Sequence, residues 1–467
     1  MRLPCRFAPA DAASTPIWFV TPETWPGIQT AIEAGIGPSA TRFAAASGFE
    51  PKPGRLQLLP DAQGALAGVL FGLAQREAKG RDPFAAGRLA TALPAGNYRF
   101  ANAPHDLELA ALGFLLGLYR FDRYRTDAGA RPQLVAPQGV DAARIEAIAR
   151  AVGFGRDLVN TPANDLGPAA LELEVSQLAL EFGAAFEVVR GDDLIKRNLP
   201  LIHAVGRAAA EAPRLAEFRW GRADAPKVTL VGKGVVFDTG GLDIKPSANM
   251  VLMKKDMGGA ATALALSRMV METKLDVRLR TLIPIVENAI SASAMRPSDV
   301  IKSRKGLTVE IGNTDAEGRL ILADALALAE EEAPELLFDF ATLTGAARVA
   351  LGPDLPAFYA DDEALAGEVA AAAARAADPL WRLPLWRPYE AMIESPIADI
   401  DNAGSGGGFA GSITAALFLS RFVDPGRAWA HFDIYDWNPK ARAHGPQGGE
   451  VQAARAIFAL LEARYRR

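Results

Sequence analysis

The chain has 467 residues, half of them hydrophobic, which exceeds the roughly 250 to 300 at which a single core divides, so two domains are expected. A formal net charge of −5 excludes a broad attraction for nucleic acid or an anionic membrane, and the 14 Lys plus Arg against 11 Asp plus Glu in residues 1–140 are too even for a nucleic-acid-binding arm. Cys5 is the only cysteine, which rules out an internal disulfide or a thiolate zinc cluster and suits a reducing cytoplasm.

At the start of the chain, Pro4, Asp11 and Pro16 interrupt the sequence before any apolar run of signal-peptide length, so a cytoplasmic protein is expected. Short apolar segments such as "LQLLP" and "GALAGVLFGLA" follow, separated by Pro and Gly, and then the helical "DLELAALGFLLGLYRFDRY". Its apolar part, 110–119, is half of what a bilayer crossing needs and reads as a core helix. Together these predict a small α/β domain over 1–140. The stretch "TDAGARPQLVAPQGVDAAR" is punctuated by Pro and Gly and marks the boundary. A linking helix over 141–160 then leads into a larger domain over 161–467.

From residue 227 onward, strand and helix patterns alternate: "KVTLVG", a helix over 258–273, "VRLRTLIPIVE", "LTVEIG", a helix over 319–332 and "ELLFDFATL". A helix over 412–422, the strand "WAHFDIY" and a closing helix over 451–464 continue the series. Such alternation predicts an α/β fold with a mostly parallel sheet flanked by helices. Ligands collect at the carboxyl ends of strands in sheets of this kind.

Two segments place polar residues where strands should end. "VGKGVVFDTGGLDIKPSANMVLMKKDMGG" holds Lys233, Asp238, Lys245 and Asp256, and "IGNTDAEGRLILADAL" holds Asp315, Glu317 and Arg319. Taken alone, Asp315 and Glu317 have an ordinary reading as acidic residues on the turn before a helix, where they satisfy its free amides and its dipole. "GKG" followed by "GG" lacks the spacing of a dinucleotide or phosphate loop. Taken together, four carboxylates at one sheet edge would repel by roughly 4 kcal/mol for each pair at about 4 Å. Summed over all pairs, that exceeds a typical stability of about 5 to 15 kcal/mol. Such a cluster requires cations or protons. Two divalent ions would cancel the four charges and leave Lys245 and Arg319 as surplus positive charge for an oxyanion. None of the four histidines, His105, His203, His431 and His444, lies in either segment. An oxygen-dominated site is therefore implied, which suits Mn²⁺ or Mg²⁺ and leaves Zn²⁺ open. His431 sits in an apolar strand pattern and reads as a core residue.

"NTDAEGRL", together with "VGKGVVFDTGG", "IKP", "MKKDMGGAA" and "ATLTGA", resembles the leucyl aminopeptidase (cytosol aminopeptidase) family. The resemblance runs over about 156–432 and includes "RDLVNTPAN" and "GSGGGFAGSITAALFL". It implies a metal-dependent aminopeptidase that acts on peptides, forms homohexamers and has its catalytic domain over 161–467. One metal would be held at Asp238, Asp315 and Glu317, the second at Lys233, Asp238, Asp256 and Glu317. Lys245 and Arg319 would be catalytic. Lys245 steadies the scissile carbonyl, and Arg319 anchors a bicarbonate that accepts a proton. Met253, Thr342, Leu343 and Gly345 match residues that hold the first side chain of the substrate. The C-terminal segment departs from the family: "DIYDWNPKARAHGPQGGEVQAAR" lacks the expected Gly-Ala-Thr-Gly pattern. Trp437, Pro439 and Pro446 are therefore expected to rebuild the pocket wall and reorder side-chain preference; the other reading is a neutral surface variation at the C-terminus. The alternative is a non-catalytic relative kept for binding or assembly, which the loss of any ligand would favour. All seven positions carry the expected residue types. A Ser/His/Asp hydrolase is disfavoured by the absence of a Gly-x-Ser-x-Gly elbow.

Overall fold

The computed structural model describes residues 5–125, 129–405 and 408–466. The expected domain boundary includes 126–128 and the glycine cluster includes Gly406 and Gly407, all of which lie outside the described residues, as does Pro4. Two compact units emerge, one running to Gly153 and adding Lys440–Gln447, the other made of Phe154–Pro439 and Gly448–Arg467. The division falls inside a helix, Ala142–Asn160.

In the first unit, β1 (Thr15–Val20), β2 (Leu56–Pro60), β3 (Leu66–Gly72), β4 (Gly96–Phe100) and β5 (Pro132–Leu134) form a sheet in the order β2-β3-β1-β4-β5. Only β2 pairs antiparallel. Strand β5 comes from the Pro/Gly-punctuated boundary stretch, part of which is thus sheet edge. Trp18, Val20, Ile32, Phe49 and Leu70 build the core beneath β1 and β3. Helix Leu107–Gly117 is buried from Ala110 to its end because it is apolar on every face, and the Asp106 carboxylate caps it by accepting a hydrogen bond from Leu109 N at 2.9 Å.

The second unit contains β6 (Ala185–Arg190), β7 (Arg214–Trp220), β8 (Lys227–Gly232), β9 (Gly234–Asp238), β10 (Arg278–Asn288), β11 (Val300–Lys302), β12 (Thr308–Glu310), β13 (Leu336–Ala341), β14 (Ala357–Tyr359), β15 (Trp381–Arg382), β16 (Ile400–Asp401) and β17 (Trp429–Asp433). Its main sheet runs β15-β14-β17-β13-β8-β10-β7-β6, with β9 added on β10. The centre, β17-β13-β8-β10, is parallel. Strands β8, β10 and β13 are rich in Val, Ile, Leu and Phe because both faces are covered. Helices Gly258–Glu272 and Ala454–Tyr465 pack together, and Glu317–Glu330 packs with Pro200–Gly206 and Gly411–Ser420.

The segment "LTVEIG" departs from expectation. Its strand, β12, lies outside the main sheet, in a small one ordered β11-β12-β16. Three residues suffice for that pairing, and local pattern carries no information about which sheet a strand joins.

A discontinuity in the sheet positions the site. Strand β10 pairs with β8 along its first half and with β9 along its second, so Lys233 stands at the junction between them. Lys233 N donates to Phe340 O and Lys233 O accepts from Ala260 N, each at 2.9 Å. This close approach of helix to strand requires Gly259, since a Cβ there would lie 2.0 Å from Phe340 O.

Candidate active site

The carboxyl ends of β8, β9 and β13 deliver Lys233, Asp238 and Thr342 to one place. The turn before helix Glu317–Glu330 adds Asp315, and the turn before helix Gly258–Glu272 adds Asp256. Glu317 is the first residue of its helix, two residues earlier than the apolar period indicates. The helix N-terminus favours its negative charge.

Lys233 Nζ lies 2.8 Å from Asp256 Oδ2 and 3.0 Å from Glu317 Oε1, and it donates to Thr342 O at 3.0 Å. Lys245 Nζ lies 2.8 Å from Asp238 Oδ2 and also pairs with Asp315 Oδ1. Asp238 Oδ1 accepts from Gly240 N and Asn288 Nδ2, both at 2.8 Å. Asp238, Asp315 and Glu317 each offer one oxygen, all within 4.8 Å of one another. Burial and the neighbouring charge of Asp238 push Asp315 up to about 6, and the same two causes raise Glu317 well above the ordinary range. Burial also pushes Lys233 down, but the charges of Asp256, Glu317 and Asp238 outweigh it and hold the ammonium more firmly than usual.

Neither Glu317 oxygen accepts a hydrogen bond, and both are buried; the same is true of Asp256 Oδ2 and Asp315 Oδ1. Buried carboxylate oxygens without donors are costly. Among the described residues, the ammonium groups of Lys233 and Lys245 are the cations in contact with these oxygens. The donor set, all carboxylate and amine, fits hard divalent cations.

Arg319, in the first turn of its helix, is buried; its Nη1 donates to Asn402 O at 2.6 Å while Nε has no partner. Burial lowers its pKa to about 10, so it remains cationic at neutral pH. Three residues that sequence reasoning left without a role position the site. Asn402 Oδ1 accepts from Gly312 N and Asn313 N at 2.9 and 3.1 Å. Thr314 Oγ1 donates to Gly240 O at 2.7 Å, which ties the loop carrying Lys245 to the loop carrying Asp315. Asn288 ends β10 and holds Asp238. A polar residue closing an apolar strand was the available signal for Asn288, whereas nothing local marks Asn402.

A cavity of about 480 Å³ opens over the cluster, lined by Lys233, Asp238, Lys245, Asp256, Asp315 and Arg319 and, on another side, by Met253, Thr342, Leu343 and Gly345. Glu317 lies beneath it, 1% exposed. The expected wall of Trp437, Pro439 and Pro446 does not line this cavity; Ile434, Tyr435 and Gln452 do. Trp437–Asn438 instead pairs with Gly448–Gly449, with Lys254 Nζ 5.6 Å from the Trp437 ring centre, and Pro446 belongs to the other unit. His431 is fully buried, its Nδ1 2.6 Å from Asp339 Oδ1, away from the cavity lining.

Converging carboxylates and cations at the carboxyl edge of a parallel sheet, under an open cleft, define a metal-dependent hydrolase. Comparison with known proteins specifies which kind. Residues 153–458 match the catalytic domain of the cytosol aminopeptidase family, and residues 30–137 match the M17 aminopeptidase N-terminal domain. A probable cytosol aminopeptidase of Roseiflexus castenholzii is 41% identical over 75% of each chain. The crystal structure of the cytosol aminopeptidase from Coxiella burnetii superposes with a TM-score of 0.92 at 44% identity, covering 99% of this chain and all of that one. The bottromycin maturation enzyme BotP in complex with Mn gives 0.83 at 34% identity, over 97% of this chain and all of its own. The chain belongs to the cytosol aminopeptidase family and is a metal-dependent hydrolase that removes amino-terminal residues from peptides. Among the described residues no helix is long and apolar enough to cross a membrane.

Proposed function

We propose that Asp238, Asp315 and Glu317 would hold one divalent ion and that Lys233, Asp238, Asp256 and Glu317 would hold a second, so that Asp238 and Glu317 serve both. The observation that carries this reading is the convergence of four carboxylates, three of which (Asp256, Asp315 and Glu317) have buried oxygens that accept no hydrogen bond, around Lys233 and Lys245. When bound, the ions supply an activated water and a Lewis-acidic anchor for the substrate. To act as a ligand Lys233 must release its proton, and replacing its ion pairs with dications favours that release. Lys245 then meets the negative charge that develops on the scissile carbonyl oxygen. Arg319, tethered to Asn402 O with Nε free, would hold a bicarbonate, which would supply a proton acceptor. Met253, Thr342, Leu343 and Gly345 receive the first side chain. The similarity to an enzyme solved with Mn supports Mn²⁺ as the first ion to test, ahead of Zn²⁺ and Mg²⁺. Resemblance to the family supports a cytoplasmic homohexamer.

Exhaustive chelation of the purified protein should lower release of the amino-terminal residue from a peptide amide about a hundredfold or more. Mn²⁺, Zn²⁺ or Mg²⁺ should restore it at a stoichiometry of two ions per chain. Full activity with no metal detectable by elemental analysis would overturn this reading.

A further inference from the structure

One end of the cavity carries positive charge that the metal cluster does not use. Lys255 ends the short turn Met253–Lys255, and Arg348 lies in helix Gly345–Leu351. Lys255 Nζ is 4.8 Å and the Arg348 guanidinium 4.9 Å from the centre of the Tyr435 ring. All three residues line the cavity that holds Met253 and Thr342. Lys255 is only 5% exposed, yet among the described residues neither cation makes a side-chain hydrogen bond or ion pair. The nearby acids are engaged elsewhere. Asp256 meets Lys233 and Thr342, while Asp436 accepts from Thr262 Oγ1 and Gln452 N, each at 2.9 Å.

The arrangement is rigid. Gln452 Oε1 accepts from Tyr435 N at 2.8 Å and Asp436 N at 3.1 Å, and Gln452 Nε2 donates to Pro353 O at 2.8 Å. Arg348 Nη2 reaches within 4.0 Å of where a Cβ on Gly345 would stand, so the guanidinium borders the cavity despite the exposure of its residue. A buried ammonium that makes no hydrogen bond or ion pair and faces a cavity across an aromatic ring is poorly compensated, because a cation–π contact replaces less than the lost hydration. A ligand anion would complete it.

Resting on the aminopeptidase reading above, we propose that Lys255 and Arg348 bind a carboxylate of the substrate. The closeness of Met253 and Gly345 points to the side chain of an amino-terminal Glu or Asp; the terminal carboxylate of a dipeptide has the same chemistry. A site built around an unpaired charge discriminates strongly against an isostere that lacks its partner.

The test uses the full chain loaded with Mn²⁺ and compares kcat/KM within two substrate pairs, Glu-Ala-Ala-amide against Gln-Ala-Ala-amide, and Leu-Gly against Leu-Gly-amide. The expected result is a Glu-to-Gln ratio of about tenfold or more. It should fall to about one in Lys255→Met and be reduced in Arg348→Gln, the latter on an exposed helix position that leaves the core intact. A charged-to-amide preference confined to the dipeptide pair, and lost in the same variants, would assign the site to the terminal carboxylate. Ratios at or below one in both pairs, or ratios that neither variant moves, would overturn the inference and leave the aminopeptidase reading standing. No release from any peptide would overturn both.

Discussion

Two sets of buried carboxylates lie in the same unit and differ in what serves their oxygens. Glu450 receives Arg156 Nε at 3.1 Å and Val451 N at 3.0 Å on one oxygen, and Arg156 Nη2 at 2.7 Å and Asn438 Nδ2 at 3.0 Å on the other. Asp339 is likewise filled, by His431 Nδ1 at 2.6 Å and Trp429 Nε1 at 2.7 Å. Glu317, by contrast, accepts no hydrogen bond at either oxygen. Donors that match a buried acid make it part of the scaffold. The acids that outnumber their donors are those we propose to hold cations. Burial alone therefore does not separate the two sets; the donors that their oxygens receive do.

Substitutions at the deficient acids should have the largest effect. Glu317→Gln and Asp315→Asn are expected to lower metal content and to cut turnover about a hundredfold or more. Arg319→Ala should lower turnover with metal content preserved, since that side chain is tethered to Asn402 beside the acids. Elemental analysis set against the rate separates the two cases. Equal metal loss in all three variants would erase the distinction between ligand and neighbour.

At the satisfied cluster the expected effect is on folding. Arg156→Met leaves Glu450 buried without its main partner and should cost about 3 to 5 kcal/mol. A urea titration measures the loss. The folded fraction should keep its full metal content, and metal loss matching that of Glu317→Gln would show that the clusters are not independent.

A smaller effect concerns pH. In the chelated protein, burial and the charge of Asp238 raise Asp315 from 3.8 to about 6. A folded-state pKa above the unfolded one means that its contribution to stability is fully present below 3.8 and is lost as pH rises through about 6. The melting temperature of chelated protein should therefore fall relative to metal-loaded protein across that window, because bound cations compensate the carboxylate. Parallel curves would show that the cluster keeps no proton in place of metal.

Much of this molecule is readable without coordinates. The run "KVTLVG" becomes β8 over the same residues, Lys227–Gly232, and the helix expected over 258–273 forms as Gly258–Glu272. Hydrophobic period and the Gly-Gly after Asp256 suffice, because both act over a few residues. The seven charged positions were likewise visible at predicted strand ends, and the structure brings them together; the roles we propose for them rest on the resemblance to the family. Other features depended on distant segments of the chain. Arg319 meets a carbonyl 83 positions away and Arg156 a carboxylate 294 away. The side sheet that takes β12, the pairing that removes Trp437 from the cavity and the ring shared by Lys255 and Arg348 are equally non-local. Local sequence determines which face a residue presents and with what period. Which face meets it depends on how the whole sheet is ordered, and that ordering is decided by packing summed over the entire unit.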